Sequence, residues 1–440
     1  MKAFMFTLAM VLTVALAGTA GAEVKIREVT SPRGLTAWLV EDHSIPFTAL
    51  ELRFRGGTSL DPADKRGAVH LMTGLLEEGA GELDSRGFAR KLESLAASFE
   101  YDSGDDSVTV AARFLTENRD DAIALLRSTL MQPRFDADAI ERVRAQVLSG
   151  LASDAKDPRS IAAEAFARMA FGDHPYGSAG EGTEASVRAL TRDDLLAAHR
   201  GVFARDRLFI GAVGDITAEE LGRLIDDLLA DLPETGAPMP GPAEVTIPGG
   251  ITVIPYETPQ SVAIFGQKGI DRDDPDFFAA YVMNQILGGG SFESRLMQEL
   301  REKRGLTYGV YTYLAPKDLA SVYLGSVASA NDKIAESIEV IRAEWRRMVN
   351  EGVSARELKD AQTYLTGAYP LRFDGNGRIA SIMVGMQMQG LPIDYIATRN
   401  DKVNAVTLED INRVAAELLD PEALQFVVVG SPEGLETATD

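Results

Sequence analysis

The run LPETGAPMPGPAEVTIPGG, Leu232 to Gly250, sets Pro and Gly between two regions of regular hydrophobic period, and this composition marks a linker. On either side lies a half of similar length, 23–231 and 251–440. Each half opens on extended segments with alternation and β-branched residues: Leu35 to Val40 and Thr48 to Arg55 in the first, Ile251 to Pro255 and Ser261 to Lys268 in the second. A helical pattern follows in each, Arg66 to Glu78 or Phe277 to Leu287, and then strands such as Ser107 to Phe114 and Ser321 to Ala328. Further helices are expected at 137–155, 159–171, 191–202, 330–350 and 355–371, and a strand closes each half, at Leu208 to Val213 and Leu424 to Val429. The halves read as a diverged internal repeat. Strands that bracket runs of helix, without regular βαβ alternation, predict an α+β fold of two similar domains, each a mainly antiparallel sheet layered with helices.

Composition sets the outer bounds. Of 440 residues, 66 are acidic and 44 basic, a formal net charge of -22, and there is no basic run. This argues against nucleic acid as a partner. The chain has no Cys, which removes disulfides, thiol catalysis and thiolate metal sites together. Residues 1–22, MKAFMFTLAMVLTVALAGTAGA, combine Lys2, an apolar stretch and the small-residue end Ala20-Gly21-Ala22, the pattern of a secretory signal peptide cut near Ala22. The stretch from Ala3 to Ala17 is shorter than the roughly 20 residues that span a bilayer, and no later stretch is long enough. The expectation is a periplasmic or otherwise exported chain without stable membrane insertion.

Four His limit the metal chemistry: His43, His70, His174 and His199. His70 lies in the helical run GAVHLMTGLLEEG, Gly67 to Gly79. A zinc site on a helix needs a second ligand one turn away, at position 74 or, less well, 73, and these hold Gly74 and Thr73. His174, beside Pro175 and Gly177, reads as a residue organising a turn. In the second half, LGGGSFESRLMQELREKRGLTY, Leu287 to Tyr308, lacks the Lys and Ser/Thr of a phosphate loop. Its glycines lead into a helix capped by Ser291 or Ser294, running to about Arg304 and stopping at Gly305. Taken alone, Arg301 would be a cation at a helix C-terminus and Tyr308 a strand aromatic.

Both segments resemble those of the inverzincin zinc peptidases of the pitrilysin and insulinase type, which include the mitochondrial processing peptidases. Gly67, His70 and Gly79 keep the frame of the family segment G-x-A-H-x-x-E-H-x-x-x-x-G, but the general-base position is Thr73 and the second zinc-ligand position is Gly74. The family's third ligand, a Glu about 75 residues further on, falls at Gly150 in ERVRAQVLSG. One His of three ligands cannot hold the ion, so the resemblance implies no metal bound by this chain. The second segment matches G-G-G-x-x-S-R-L-x-x-x-L-R-E-x-x-G-L-x-Y, whose Arg/Tyr pair holds the substrate carbonyl near the scissile bond; the pair here is Arg301 and Tyr308. The likeness runs from Val24 to about Glu433 and includes Gly56-Gly57-Thr58-Ser59, Asp157-Pro158 and Val213-Gly214-Asp215.

The resemblance implies half of a peptidase clamshell, with the degenerate zinc motif in the N-terminal domain and the Arg/Tyr pair in the C-terminal one. It implies a non-catalytic, substrate-binding subunit of a heterodimeric zinc metalloendopeptidase and no autonomous peptidase activity. Zinc and base would sit in a related partner chain carrying H-x-x-E-H, and Arg301 and Tyr308 would reach the peptide substrate in trans. The alternative is an exported peptide-binding or scaffold protein without a role in catalysis.

Overall fold

The computed structural model of the chain describes residues 24–290 and 292–435. The expected signal peptide, 1–22, and the expected cap Ser291 lie outside the described residues. The first half carries strands β1 (Arg27–Thr30), β2 (Thr36–Glu41), β3 (Phe47–Arg55), a short hairpin of β4 (Gly79–Ala80) and β5 (Leu83–Asp84), then β6 (Ser98–Ser103), β7 (Ser107–Leu115) and β8 (Leu208–Gly214). Its helices are α1 (Ala68–Gly74), α2 (Ser85–Ser94), α3 (Arg119–Met131), α4 (Ala137–Asp154), α5 (Pro158–Phe171), α6 (Glu184–Ala189), α7 (Arg192–Val202) and α8 (Ala218–Leu229). The second half carries β9 (Gly250–Pro255), β10 (Gln260–Lys268), β11 (Thr307–Pro316), β12 (Ser321–Ala330) and β13 (Gln425–Gly430). With them come α9 (Phe277–Leu287), α10 (Ile334–Glu351), α11 (Ala355–Ala368), α12 (Asn376–Met388), α13 (Tyr395–Ala405) and α14 (Leu408–Leu418).

The first sheet runs β1-β2-β8-β3-β7-β6 and the second β9-β13-β10-β12-β11. Strand for strand the second repeats the first from β2 outward. Both are antiparallel except for one matching parallel pair, β2 with β8 and β9 with β13. Alternation puts Val108, Val110, Ala112 and Phe114 of β7 into the core of the first half, where they meet apolar residues of α1, α3, α7 and α8. Capping boxes start α7 at Thr191, α8 at Thr217, α11 at Ser354 and α14 at Thr407. The helix expected over Arg66 to Glu78 is shorter: α1 ends at Gly74, and a turn leads from it to β4.

Each sheet covers its other face with a helix from the opposite half. α12 packs on β3 and β8, and α5 packs on β10 and β13. A glycine admits each helix at close range. A Cβ on Gly211 of β8 would lie 2.8 Å from Val384 Cγ2 of α12, and one on Gly266 of β10 would lie 3.0 Å from Phe166 Cζ of α5. Leu232 to Gly249 carries neither helix nor strand, Gly250 of the expected linker already belongs to β9, and α5 and α12 cross between the two packed layers. The turn between β11 and β12 is clasped by the first half as well. Lys317 pairs with Asp105, Arg55 Nε lies 3.0 Å from the Asp318 carboxylate as an ion pair, and the Leu319 N–H donates to the Tyr176 hydroxyl at 3.1 Å. Among the described residues no helix is long and apolar enough to cross a membrane.

Candidate functional site

Backbone chemistry starts α1. Gly67 adopts φ 90°, and the Asp61 carboxylate accepts hydrogen bonds from the N–H groups of Gly67 at 2.8 Å and Val69 at 2.9 Å. Burial pushes the Asp61 carboxyl up to about 6, against the pull of these bonds and of Arg66. The helix buries Val69, Leu71, Met72 and Thr73, and it leaves His70 and Gly74, one turn apart, on the wall of a cleft of about 350 Å³. Gly150 of α4 and Asp102 and Ser103 of the edge strand β6 line the same cleft. The fold thus brings His70, Thr73, Gly74 and Gly150 to one place.

These residues do not fit a catalytic zinc. His70 Nδ1 lies 3.1 Å from Ser103 Oγ, and the Thr73 hydroxyl donates back to the Val69 carbonyl at 2.8 Å. Gly74 and Gly150 offer no side chain. Among the described residues no group of three or more His, Asp or Glu could hold a metal ion. His174 organises a turn: its Nδ1 accepts from the Tyr176 N–H at 3.2 Å, and its Nε2 lies 3.1 Å from the Gly241 carbonyl of the linker.

The segment that carries Arg301 differs from the capped helix read from the sequence. Ser294 is buried, and its hydroxyl has no hydrogen-bond partner. Met297–Glu302 forms a widened π-type turn, with the Lys303 N–H on the Gln298 carbonyl at 3.0 Å, and Gly305 closes it at φ 60°. In place of a cap, Arg295 fixes the start. It donates to Glu357 of α11 at 2.7 and 3.1 Å and to the Gly352 carbonyl at 2.8 Å. The Arg301 guanidinium lies 4.7 Å over the Phe292 ring and 3.5 Å from Glu302.

Tyr308 follows on β11, the edge strand of the second sheet, where the register slips between Thr307 and Val310. Thr307 Oγ1 donates to the Ala328 carbonyl at 2.7 Å and accepts from the Gly309 N–H at 3.0 Å, which holds the bulge. Tyr308 is thereby turned outward and is 88% exposed. Tyr311 and Tyr313 continue the exposed row, their rings stacked at 6.2 Å, and Arg159 of α5 donates to the Tyr311 hydroxyl at 3.0 Å. The sequence reading did not single out this row; the period-2 spacing of Tyr311 and Tyr313 on a strand was its signal. Arg301 and Tyr308 belong to the half opposite the His70 cleft and do not line it.

Two sheets on one repeated plan define a pitrilysin-like clamshell half, and the cleft at His70 offers no set of ligands for a metal ion among the described residues. The chain belongs to peptidase family M16: residues 37–184 match the family described as Insulinase (Peptidase family M16), and residues 189–365 that described as Peptidase M16 inactive domain. It is 28% identical over 435 residues to the non-peptidase homolog YmxG of Helicobacter pylori, with 98% of this chain and 99% of that one covered. It is 25% identical to an uncharacterized zinc protease of Streptomyces coelicolor, covering 90% of this chain and 87% of that one. Among solved structures it is similar to a peptidase M16 inactive domain from Pseudomonas fluorescens, with a TM-score of 0.87 and 28% identity over 94% of this chain and 99% of that one.

Proposed function

We propose that this chain is the non-catalytic, substrate-binding subunit of an exported heterodimeric zinc metallopeptidase. One observation carries the reading: the His70 cleft has lost its ligands, while the segment bearing Arg301 and Tyr308 is held by a buried Arg295 clamp. A related partner chain with an intact H-x-x-E-H supplies the zinc and the general base. Arg301 and Tyr308 donate hydrogen bonds to the peptide carbonyl oxygen as it gains charge. Zinc-dependent cleavage that appears only when the purified mature chain is mixed with an exported homologue carrying H-x-x-E-H, with the metal in that homologue, is the expected result. Activity and stoichiometric zinc in this chain alone would overturn the reading.

The exposed tyrosine row on the unpaired edge of β11 favours a second reading, a peptide-capturing or scaffold protein that adds an extended peptide to a sheet edge. It predicts saturable peptide binding by this chain without a partner.

A further inference from the structure

A second cavity, of about 300 Å³, lies where α12 meets α9, α13 and the turn after α11. Its lining is aromatic and cationic, and no Asp or Glu contributes to it, although acidic residues outnumber basic ones by 66 to 44 in the chain. The Arg272 guanidinium stacks 4.2 Å over the Phe277 ring, and it donates to the Tyr395 hydroxyl at 2.7 Å. Asp271, Asp273 and Asp274 surround Arg272 in sequence, yet among the described residues no carboxylate comes within 4 Å of it. Arg372 stands exposed on the lining and, among the described residues, has no ion pair. Arg399 is buried and its donors are used: it bonds the Leu365 carbonyl, Asn400 and the Tyr281 hydroxyl at 2.8, 3.0 and 3.1 Å. It contributes charge to the cavity, while Arg272 and Arg372 retain free N–H groups.

Cation–π contact accounts for the seat of Arg272 on Phe277. It does not account for three guanidinium groups gathered on the lining of one cavity that holds no carboxylate, since like charges brought together repel. We infer that this cavity is a binding site for a carboxylate joined to an apolar or aromatic group. The guanidinium fork matches a carboxylate in two parallel hydrogen bonds. The faces of Phe278 and Tyr281, with Ile382 and Met386 of α12, take the apolar part. The volume suits one amino-acid residue with its side chain. The C-terminal residue of a peptide and a free carboxylic acid carry this same chemistry. Because α12 also packs on β3 and β8, a ligand seated between Met386 and the aromatic wall of α9 ties the exchanged helix to its own half.

The test is calorimetric titration of the mature chain with N-acetyl-phenylalanine, with N-acetyl-phenylalaninamide, and with a hexapeptide ending in a free Phe carboxylate. At least one carboxylate probe is expected to bind saturably, with the amide about tenfold weaker or worse. Arg372→Gln, at an exposed position, and Arg272→Gln are each expected to weaken binding about tenfold. Binding of the peptide alone assigns the site to chain termini, and binding of the small acid alone assigns it to free carboxylates; both support the site. Equal affinity for acid and amide, no loss in Arg372→Gln, or no saturable binding at millimolar probe would overturn it and leave the cations a structural role only.

Discussion

Gly150 of α4 and His70 of α1 line one cleft, and a Cβ built on Gly150 meets no heavy atom within 4 Å. The cleft wall at Gly150 therefore has room for a ligating side chain. At Gly74 a Cβ would touch Val143 Cγ1 at 3.2 Å, a contact that a small shift relieves. The double variant Gly74→His, Gly150→Glu presents three ligands with His70, and we expect it to retain about one zinc per chain after dialysis, where the parent retains none. Metal analysis of the two proteins decides it; equal zinc content would show that the α1 and α4 walls no longer stand at ligand distance.

Arg301→Ala and Tyr308→Phe should act on turnover and leave the fold intact. Tyr308 is 88% exposed, so removing its hydroxyl should change stability by less than about 0.5 kcal/mol. In the complex with a zinc-bearing partner, each loss of a donor to the developing oxyanion is expected to lower kcat by about 10²–10³ with a smaller effect on KM. Full activity of both variants in the reconstituted complex would sink the assigned role.

Arg295 and Glu357 hold the Arg301 segment against α11, and the pair has a pH signature. Burial pushes the Glu357 carboxyl up, but bonds from Arg295 and from the Ser354 N–H and hydroxyl outweigh it and bring the group to about 2. A depressed carboxylate pKa stabilises the folded state above the unfolded value near 4.5, and that contribution is lost as pH falls toward 2. Arg295→Ala should cost about 3–5 kcal/mol, because it removes a buried cation and strands its partner. For Glu357→Gln, the gap to the parent in urea midpoint should close between pH 4.5 and pH 2; a constant gap would mean that the pair is not ionic.

His199 works in a different window. Burial against Phe135 and Phe203 lowers its pKa to about 4, and its Nε2 is buried without a hydrogen-bond partner. The unfolded chain then binds more protons between pH 4 and 6.5, so stability is complete above 6.5 and falls by about 2–3 kcal/mol toward pH 4. His199→Asn keeps a polar side chain at the site and removes the titration. Its stability should be lower than the parent's at pH 7 and flatter from 6.5 to 4; parallel pH curves would assign the acid sensitivity elsewhere.

The sequence revealed the repeat and the two motif segments because those signals are local. Alternation in β7 and β10 and the Pro-Gly run after Leu232 need no tertiary information, and the spacing from His70 to Thr73 and Gly74 places them on one short helix at one cleft. Three features were not legible. The exchange of α5 and α12 depends on which sheet face each helix finds, and the PRSIAAEAFARMAF and NGRIASIMVGMQM patterns carry no address. The widened turn at Met297–Glu302 follows Arg295, whose partner Glu357 lies 62 residues away. The cation-lined cavity joins Arg272, Arg372 and Arg399, three residues that share no sequence period.

The helix exchange itself yields the last expectation. Gly211 of β8 faces α12 so closely that an added Cβ would lie 2.8 Å from Val384 Cγ2 and 3.0 Å from the Ala380 carbonyl. Val384 is β-branched and stiff within its helix, and Ala380 O is backbone, so neither yields without moving α12. Gly211→Val is expected to destabilise the chain by about 1–3 kcal/mol or more. The loss should be local first, and the two Trp separate the layers. Trp38 packs with Ala380, Met383 and Met386 of α12, while Trp345 lies in the core of the second half. In a Trp345→Phe background, Gly211→Val should shift the Trp38 emission to the red below the global unfolding midpoint, as α12 lifts and water reaches the ring. In a Trp38→Phe background, the Trp345 emission should keep its parent wavelength over the same range. If both Trp respond together at one midpoint, α12 is not a separable layer, and the two halves unfold as one cooperative unit.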